Sequence, residues 1–247
     1  MRTIFLADAH LAGPEDLNYR LLLRFLHGLE GNTDTLCIMG DLFDFWLGFP
    51  GNPLREYDEV IAALRSLVSG GCRLVYFEGN HDFHLGRVFR DQLRAEIHTS
   101  PAVLNIQGRR LFLCHGDQIN DSDHGYRLLR FSLHNRLVAS LVNVIPASCA
   151  QWVRKRLQHD SRSRYGYKAR RWDYPGIIRD FARRLRRSGC DGLVTGHFHL
   201  PLCEQLDGTP FTVLSLGDWI DRFTYGEMDN GILSLKSYPP EASGPFS

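Results

Sequence analysis

Five short stretches of this chain set carboxylates, imidazoles and an amide directly after apolar runs. They are Asp8-Ala9-His10, Asp41, Asn80-His81-Asp82, His115-Gly116-Asp117 and His197-Phe198-His199. Carboxylate and imidazole groups ligate Mn, Fe, Zn or Ni, and one carboxylate can hold two ions together. Asp-x-His and His-x-His spacing brings alternate side chains to one side of an extended segment. Gly40, Gly79, Gly116 and Gly196 stand beside these residues and let the backbone turn sharply and approach an ion. Any one cluster alone reads sooner as a turn cap, a hydrogen-bonded core residue or an exposed loop residue. Five together, each at the carboxyl end of an apolar run, read as a metal centre. Its ligands are expected among the residues of these five clusters.

Such a centre needs strands that deliver their ends to one edge. Apolar runs at 3–7, 35–39, 73–77 and 191–195, each followed by one of the clusters, read as buried strands. A pair at 102–106 and 110–114 surrounds Gln107-Gly108, and further pairs surround Asp207-Gly208 and Asp229-Asn230-Gly231. Leu21, Leu22, Phe25, Leu26 and Leu29 fall at helical spacing, as do Val60, Ile61, Leu64, Leu67 and Val68. Residues 126–145 and 175–187 also read as helices. Strands alternating with helices predict an α/β architecture, whose ligands gather at the carboxyl ends of the strands.

The 247 residues, 43% hydrophobic and 23% charged, suit a soluble protein with one large domain. Net charge is only +1, but its distribution is uneven. From Arg127 to Arg187 there are 16 basic and 3 acidic residues. Six cysteines without a CxxC pair read as reduced thiols of a cytosolic protein. The N-terminal apolar run is broken by Asp8, so no signal peptide is expected. No run reaches the ~18 uncharged apolar residues of a membrane span.

Asp8-Ala-His10, Gly40-Asp41, Gly79-Asn80-His81-Asp82, His115-Gly116-Asp117 and Gly196-His197-Phe198-His199 together resemble the five blocks of the calcineurin-like metallophosphoesterase superfamily. The resemblance implies two packed β-sheets flanked by helices, a four-layer α/β sandwich. It also implies two divalent ions, most naturally Mn, with Fe, Zn or Ni as alternatives. Asp8, His10 and His199 would bind the first ion, Asn80, His115 and His197 the second, and Asp41 would bridge them. A bridging hydroxide would then attack phosphorus in line with the leaving group. His81 would protonate or polarise the leaving oxygen, with Asp82 either setting its orientation or capping the following turn.

Beyond these blocks, MGDLFDFWLG, GNHDFHLG, CHGDQINDSDHGY and TGHFHLP resemble the UDP-2,3-diacylglucosamine hydrolases of lipid A biosynthesis. That resemblance implies cleavage of a pyrophosphate, giving UMP and the diacylglucosamine 1-phosphate, lipid X. It implies one domain over 1–238, with 125–172 as a helical, basic lid and 239–247 as a disordered tail. Asp123, Tyr126 and Lys168 would contact the acylated sugar nucleotide, beside Asn80, His81 and His197. Trp46 would pack either against the site or in the core. The best-known of these hydrolases carry Arg where this chain has His81, the usual residue of the wider superfamily. Dense apolar residues from Leu128 to Val144, followed by basic ones, suit the surface of an anionic membrane. The chain is therefore expected in the cytoplasm, held peripherally at the inner face of the cytoplasmic membrane. Two alternatives share these features. One is a phosphodiesterase or phosphatase acting on a nucleotide or nucleic acid, with Trp152, Tyr165, Tyr167 and Trp172 stacking on bases. The other is a non-catalytic membrane- or nucleic-acid-binding module with a relic site.

Overall fold

In the computed structural model, residues 1–47, 55–120 and 172–238 are described. The strands are β1 (Arg2–Leu6), β2 (Thr35–Ile38), β3 (Trp46–Leu47), β4 (Arg73–Phe77), β5 (Asp82–Phe83), β6 (Glu96–His98), β7 (Ala102–Ile106), β8 (Arg109–Cys114), β9 (Gly192–Thr195), β10 (Pro201–Gln205), β11 (Thr212–Leu216), β12 (Thr224–Asp229) and β13 (Ile232–Ser237). The helices are α1 (Leu17–Leu29), α2 (Asp58–Ser69) and α3 (Tyr174–Arg187).

Side-chain alternation along the strands builds the layers. In β1, β2 and β4, Phe5, Cys37 and Val75 point one way, into a cluster with Leu111, Leu113, Val194, Leu214 and Leu216 of the opposing sheet. Their neighbours Ile4, Leu6, Leu36, Ile38, Leu74 and Tyr76 point the other way, onto α1 and α2. Period-two alternation makes both faces of one strand apolar when both are covered. The second sheet repeats the device, with Cys114, Leu193 and Val213 facing Ile178, Ala182 and Leu185 of α3. The result is the expected mixed α/β fold of two packed sheets flanked by helices.

The six-stranded sheet runs β13-β12-β1-β2-β4-β6 and the five-stranded sheet β10-β11-β9-β8-β7. Within them, β1, β2, β4 and β6 are parallel, as are β8, β9 and β11. Both parallel sets end at the same edge of the sandwich, where the polar clusters follow. Three strands went unanticipated. β6 has three residues, and β3 and β5, which pair with each other, have two each, too short for a periodic signal. Four of the five described cysteines are buried; Cys203, on the edge strand β10, is exposed. Among the described residues, no helix is long and apolar enough to cross a membrane. The helix expected at 126–145, the tail at 239–247 and all of the 125–172 insertion except Trp172 lie outside the described residues.

Candidate metal centre

At that edge the chain leaves β1, β2 and β9 in an uncommon conformation. Asp8 (φ 53°), His10 (φ 44°), Asp41 (φ 55°), His197 (φ 69°) and His199 (φ 48°) all occupy the left-handed region. For non-glycine residues this costs about 1–2 kcal/mol each, and it persists only where the surroundings over-determine it. Here they do. The Asp8 amide donates to the Gly40 carbonyl (3.1 Å), that of His10 to the Asp41 carbonyl (3.0 Å), and the Trp219 amide to the Asp8 carbonyl (3.1 Å). The Asn18 side-chain amide closes on the Ala9 carbonyl at 2.7 Å. Two glycines are sterically required. A Cβ on Gly196 would stand 2.6 Å from Asp8 Oδ2, and one on Gly79 would collide with the Asp41 carboxylate.

Two groups of ligand atoms result. In the first, Asp8 Oδ1 lies 3.6 Å from His199 Nε2 and 3.8 Å from His10 Nε2. Asp8 is fully buried, and its other oxygen, Oδ2, accepts from the His197 amide at 2.7 Å. In the second, Asn80 Oδ1 is 3.1 Å from both His115 Nε2 and His197 Nδ1. These two ring nitrogens stand 3.2 Å apart. His115 Nδ1 donates to the Met39 carbonyl at 2.8 Å, so the neutral ring presents its Nε2 lone pair to the group. Asp41 stands between the groups, with Oδ2 3.7 Å from His10 Nε2 and 3.4 Å from His115 Nε2.

This donor set fits divalent cations. Asp8 Oδ1 and His10 Nε2 are buried with no hydrogen-bond partner. An unpaired buried polar atom costs about 1–3 kcal/mol, and separations of 3.6–3.8 Å are too long for hydrogen bonds. A cation ligated by them would satisfy these acceptors together. All seven expected ligands are thus brought to one edge.

The calcineurin-like phosphoesterase family model matches residues 1–201. The chain belongs to that family. Curated relatives named UDP-2,3-diacylglucosamine hydrolase align almost end to end. The one from Psychromonas ingrahamii is 26% identical, over 97% of this chain and 98% of its own length. That from Nitrosococcus oceani is 32% identical over 89% and 88%. Among solved structures, an archaeal phosphodiesterase aligns with a TM-score of 0.49 at 15% identity, over 96% of this chain and 99% of that one.

As a calcineurin-like phosphoesterase the chain is a metal-dependent hydrolase, and its electrostatics suit cation uptake. Burial pushes the Asp8 carboxyl well above its ordinary range. Burial would do the same to Asp41, but facing His115 and His81 hold it well below. Burial disfavours a charged His115, yet Asp41 outweighs this and raises its pKa to about 10. Burial, aided by His115, lowers His197 to about 3. Without metal, the His115 proton therefore stays on through neutral pH. A metal ligand must give that proton up. Calorimetry at pH 7 in buffers of different ionisation enthalpy should show at least about one proton released per chain on loading, from His115 and from whatever fraction of Asp8 its burial keeps protonated. Affinity should rise with pH up to about 10, where His115 is deprotonated without help.

One expectation changes, and one left open between two alternatives resolves to the core. Asp82 does not send its hydrogen bonds to His81. Its Oδ1 accepts from the amides of Asp41 (2.9 Å) and Gly79 (3.0 Å), and its Oδ2 from the Leu42 amide (2.7 Å) and the Tyr76 hydroxyl (2.6 Å). It fastens the loop that carries Asp41. The His81 ring is held instead by Asp44, whose carbonyl accepts from Nδ1 at 2.9 Å. Trp46 is a core residue, stacked on Phe43 with its indole N–H donated to the Leu85 carbonyl.

One residue missed in the sequence had a readable signal. The run TVLSL ends in Gly217-Asp218, repeating the strand-then-Gly-Asp pattern of Asp41. Asp218 is buried, accepts from the amides of Ile220, Asp221 and Arg222, and adds negative charge near Asp8 and His199. Asp123, Tyr126 and Lys168 lie outside the described residues.

Proposed function

We propose that this phosphoesterase hydrolyses the pyrophosphate of UDP-2,3-diacylglucosamine to UMP and 2,3-diacylglucosamine 1-phosphate at a centre of two divalent ions, Mn being the natural pair. The observation that carries this reading is near end-to-end similarity to relatives of that name, joined to an intact donor set. Asp8, His10 and His199 would hold one ion, Asn80, His115 and His197 the other, with Asp41 shared. Such a pair supplies an acidified water as nucleophile and positive charge for the phosphoryl oxygens.

The chain's own groups do the rest. The Asp41 amide and carboxylate are fixed from two sides, by Asp82 and by the His81 amide (2.9 Å). His81, with Nδ1 committed to the Asp44 carbonyl, has its other nitrogen to polarise or protonate the leaving oxygen. Asn80, His81 and His197 would contact the substrate, as would Asp123, Tyr126 and Lys168, which lie outside the described residues. The basic 127–187 segment, which includes exposed Arg184, Arg186 and Arg187 at the end of α3, supports attachment to an anionic membrane from the cytoplasmic side.

Mn-loaded protein should release UMP from UDP-2,3-diacylglucosamine, and oxygen from labelled water should appear in UMP. Idle turnover of that substrate beside rapid hydrolysis of a nucleotide diester would sink the assignment. A histidine at position 81, the usual residue of the wider superfamily, is compatible with that second reading, since an imidazole serves an alkoxide leaving group too.

A further inference from the structure

The turn after β1 carries Asp8 and His10, both in the left-handed region. Where their side chains meet depends on the two peptide planes between them. The plane joining Ala9 to His10 is held at both ends. Its N–H donates to the Asp41 carbonyl at 3.0 Å, and its C=O accepts from Asn18 Nδ2 at 2.7 Å. The plane joining Asp8 to Ala9 is held through the Asp8 carbonyl, which accepts from the Trp219 amide at 3.1 Å. The amide side of the turn therefore leans on the chain after β2, where Asp41 serves both ions. The carbonyl side leans on α1 and on the turn between β11 and β12, which carry none of the seven ligands. Asn18 and Trp219 also brace each other, the indole N–H donating to the Asn18 main-chain carbonyl at 3.2 Å. The Tyr19 amide donates to Asn18 Oδ1 at 3.0 Å, which turns the NH2 of Asn18 toward Ala9.

We propose that Asn18 is a positioning residue for His10, and through it for the first ion alone. The inference rests on the assignment of Asp8, His10 and His199 to that ion. Without the Asn18 donor, the Ala9–His10 plane keeps one hold in place of two and can tilt. His10 Nε2 then loses its place opposite Asp8 Oδ1 and His199 Nε2. Asp8 is spared, because the Trp219 amide still holds its carbonyl and the His197 amide its Oδ2. The second ion's ligands are set elsewhere. Asn80 follows β4, and His115 follows β8 with its ring fixed by the Met39 carbonyl at 2.8 Å. Groups that orient a metal ligand without touching the ion commonly carry a factor of about 10–100 in metal affinity.

The test is calorimetric titration of Mn²⁺ into the metal-free full chain. The wild type should take up two ions. Two backgrounds isolate them: His197→Gln leaves the first ion's set intact, and His199→Gln leaves the second's. Asn18→Leu keeps the size of the side chain, adds no charge and removes the donor. In the His197→Gln background it should weaken the remaining tight event at least about tenfold. In the His199→Gln background it should leave the remaining event unchanged. Asn18→Ala should repeat the pattern, and a cooperative melt of each metal-free variant checks that it is folded. Equal weakening in both backgrounds would overturn the proposal, because Asn18 would then support the whole edge. No weakening in either would overturn it as well. A wild type that takes up fewer than two ions would overturn the two-ion reading itself, which sets that failure apart from this one.

Discussion

Asp41→Asn is expected to lower turnover by on the order of a thousandfold, about 4 kcal/mol of transition-state stabilisation. The side chain is nearly isosteric, so the loop has reason to stay in place. Asn retains an oxygen to accept the His81 amide now held by Asp41 Oδ1. What disappears is the charge facing His10 and His115 from between the two groups. Metal content should fall below two ions per chain by elemental analysis. Proton release on loading should fall as well, because the carboxylate that raises His115 is gone. Thermal stability of the metal-free protein should fall near neutral pH, because buried His115 loses the carboxylate that holds its proton. Activity within threefold of wild type, at full metal content, would remove Asp41 from the centre.

The ligands were legible because each follows directly from its own strand, and strand plus polar end is a local pattern. The helix around Leu21 to Leu29 and the strand at 73–77 are legible for the same reason. What supports the ligands is non-local. Asp44 was one more acidic residue in GDLFDF, and only folding lays its carbonyl on a ring 37 residues away. Gly196 was read as a turn residue, whereas its hydrogen is required by Asp8 in another sheet. The left-handed backbone at five ligands has no sequence signature at all, since neither Asp nor His demands it. That strain is a property of the assembled edge. It explains why so many backbone hydrogen bonds converge on residues 8–11, and why a donor set can be intact in sequence yet depend on residues that touch no ion.

Asp82 is the clearest such dependence. Asp82→Ala should destabilise the metal-free protein by about 3–5 kcal/mol, because buried donors lose an ionisable partner. For a chain of this size that is a drop in melting temperature of about 10 °C. The fully buried carboxylate accepts three amides and a hydroxyl, from Asp41, Gly79, Leu42 and Tyr76. Alanine leaves all four without it. Asp82→Asn should recover part of the loss, since one oxygen still accepts while the new NH2 opposes donors on the other side. The pH dependence separates this role from direct catalysis. Burial, with Asp41 beside it, raises the Asp82 pKa from 3.8 to about 7. Between those values the folded state binds a proton that the unfolded state does not, so this group's contribution falls as pH rises from 4 to 7. Above 7 it is constant. Denaturant melts of the metal-free wild type should show that slope, and both variants should lack it. Asp82→Ala should also weaken metal binding, because the amide of Asp41 is no longer anchored. A variant that kept wild-type stability and its pH slope while losing activity would place Asp82 in the chemistry and not beneath it.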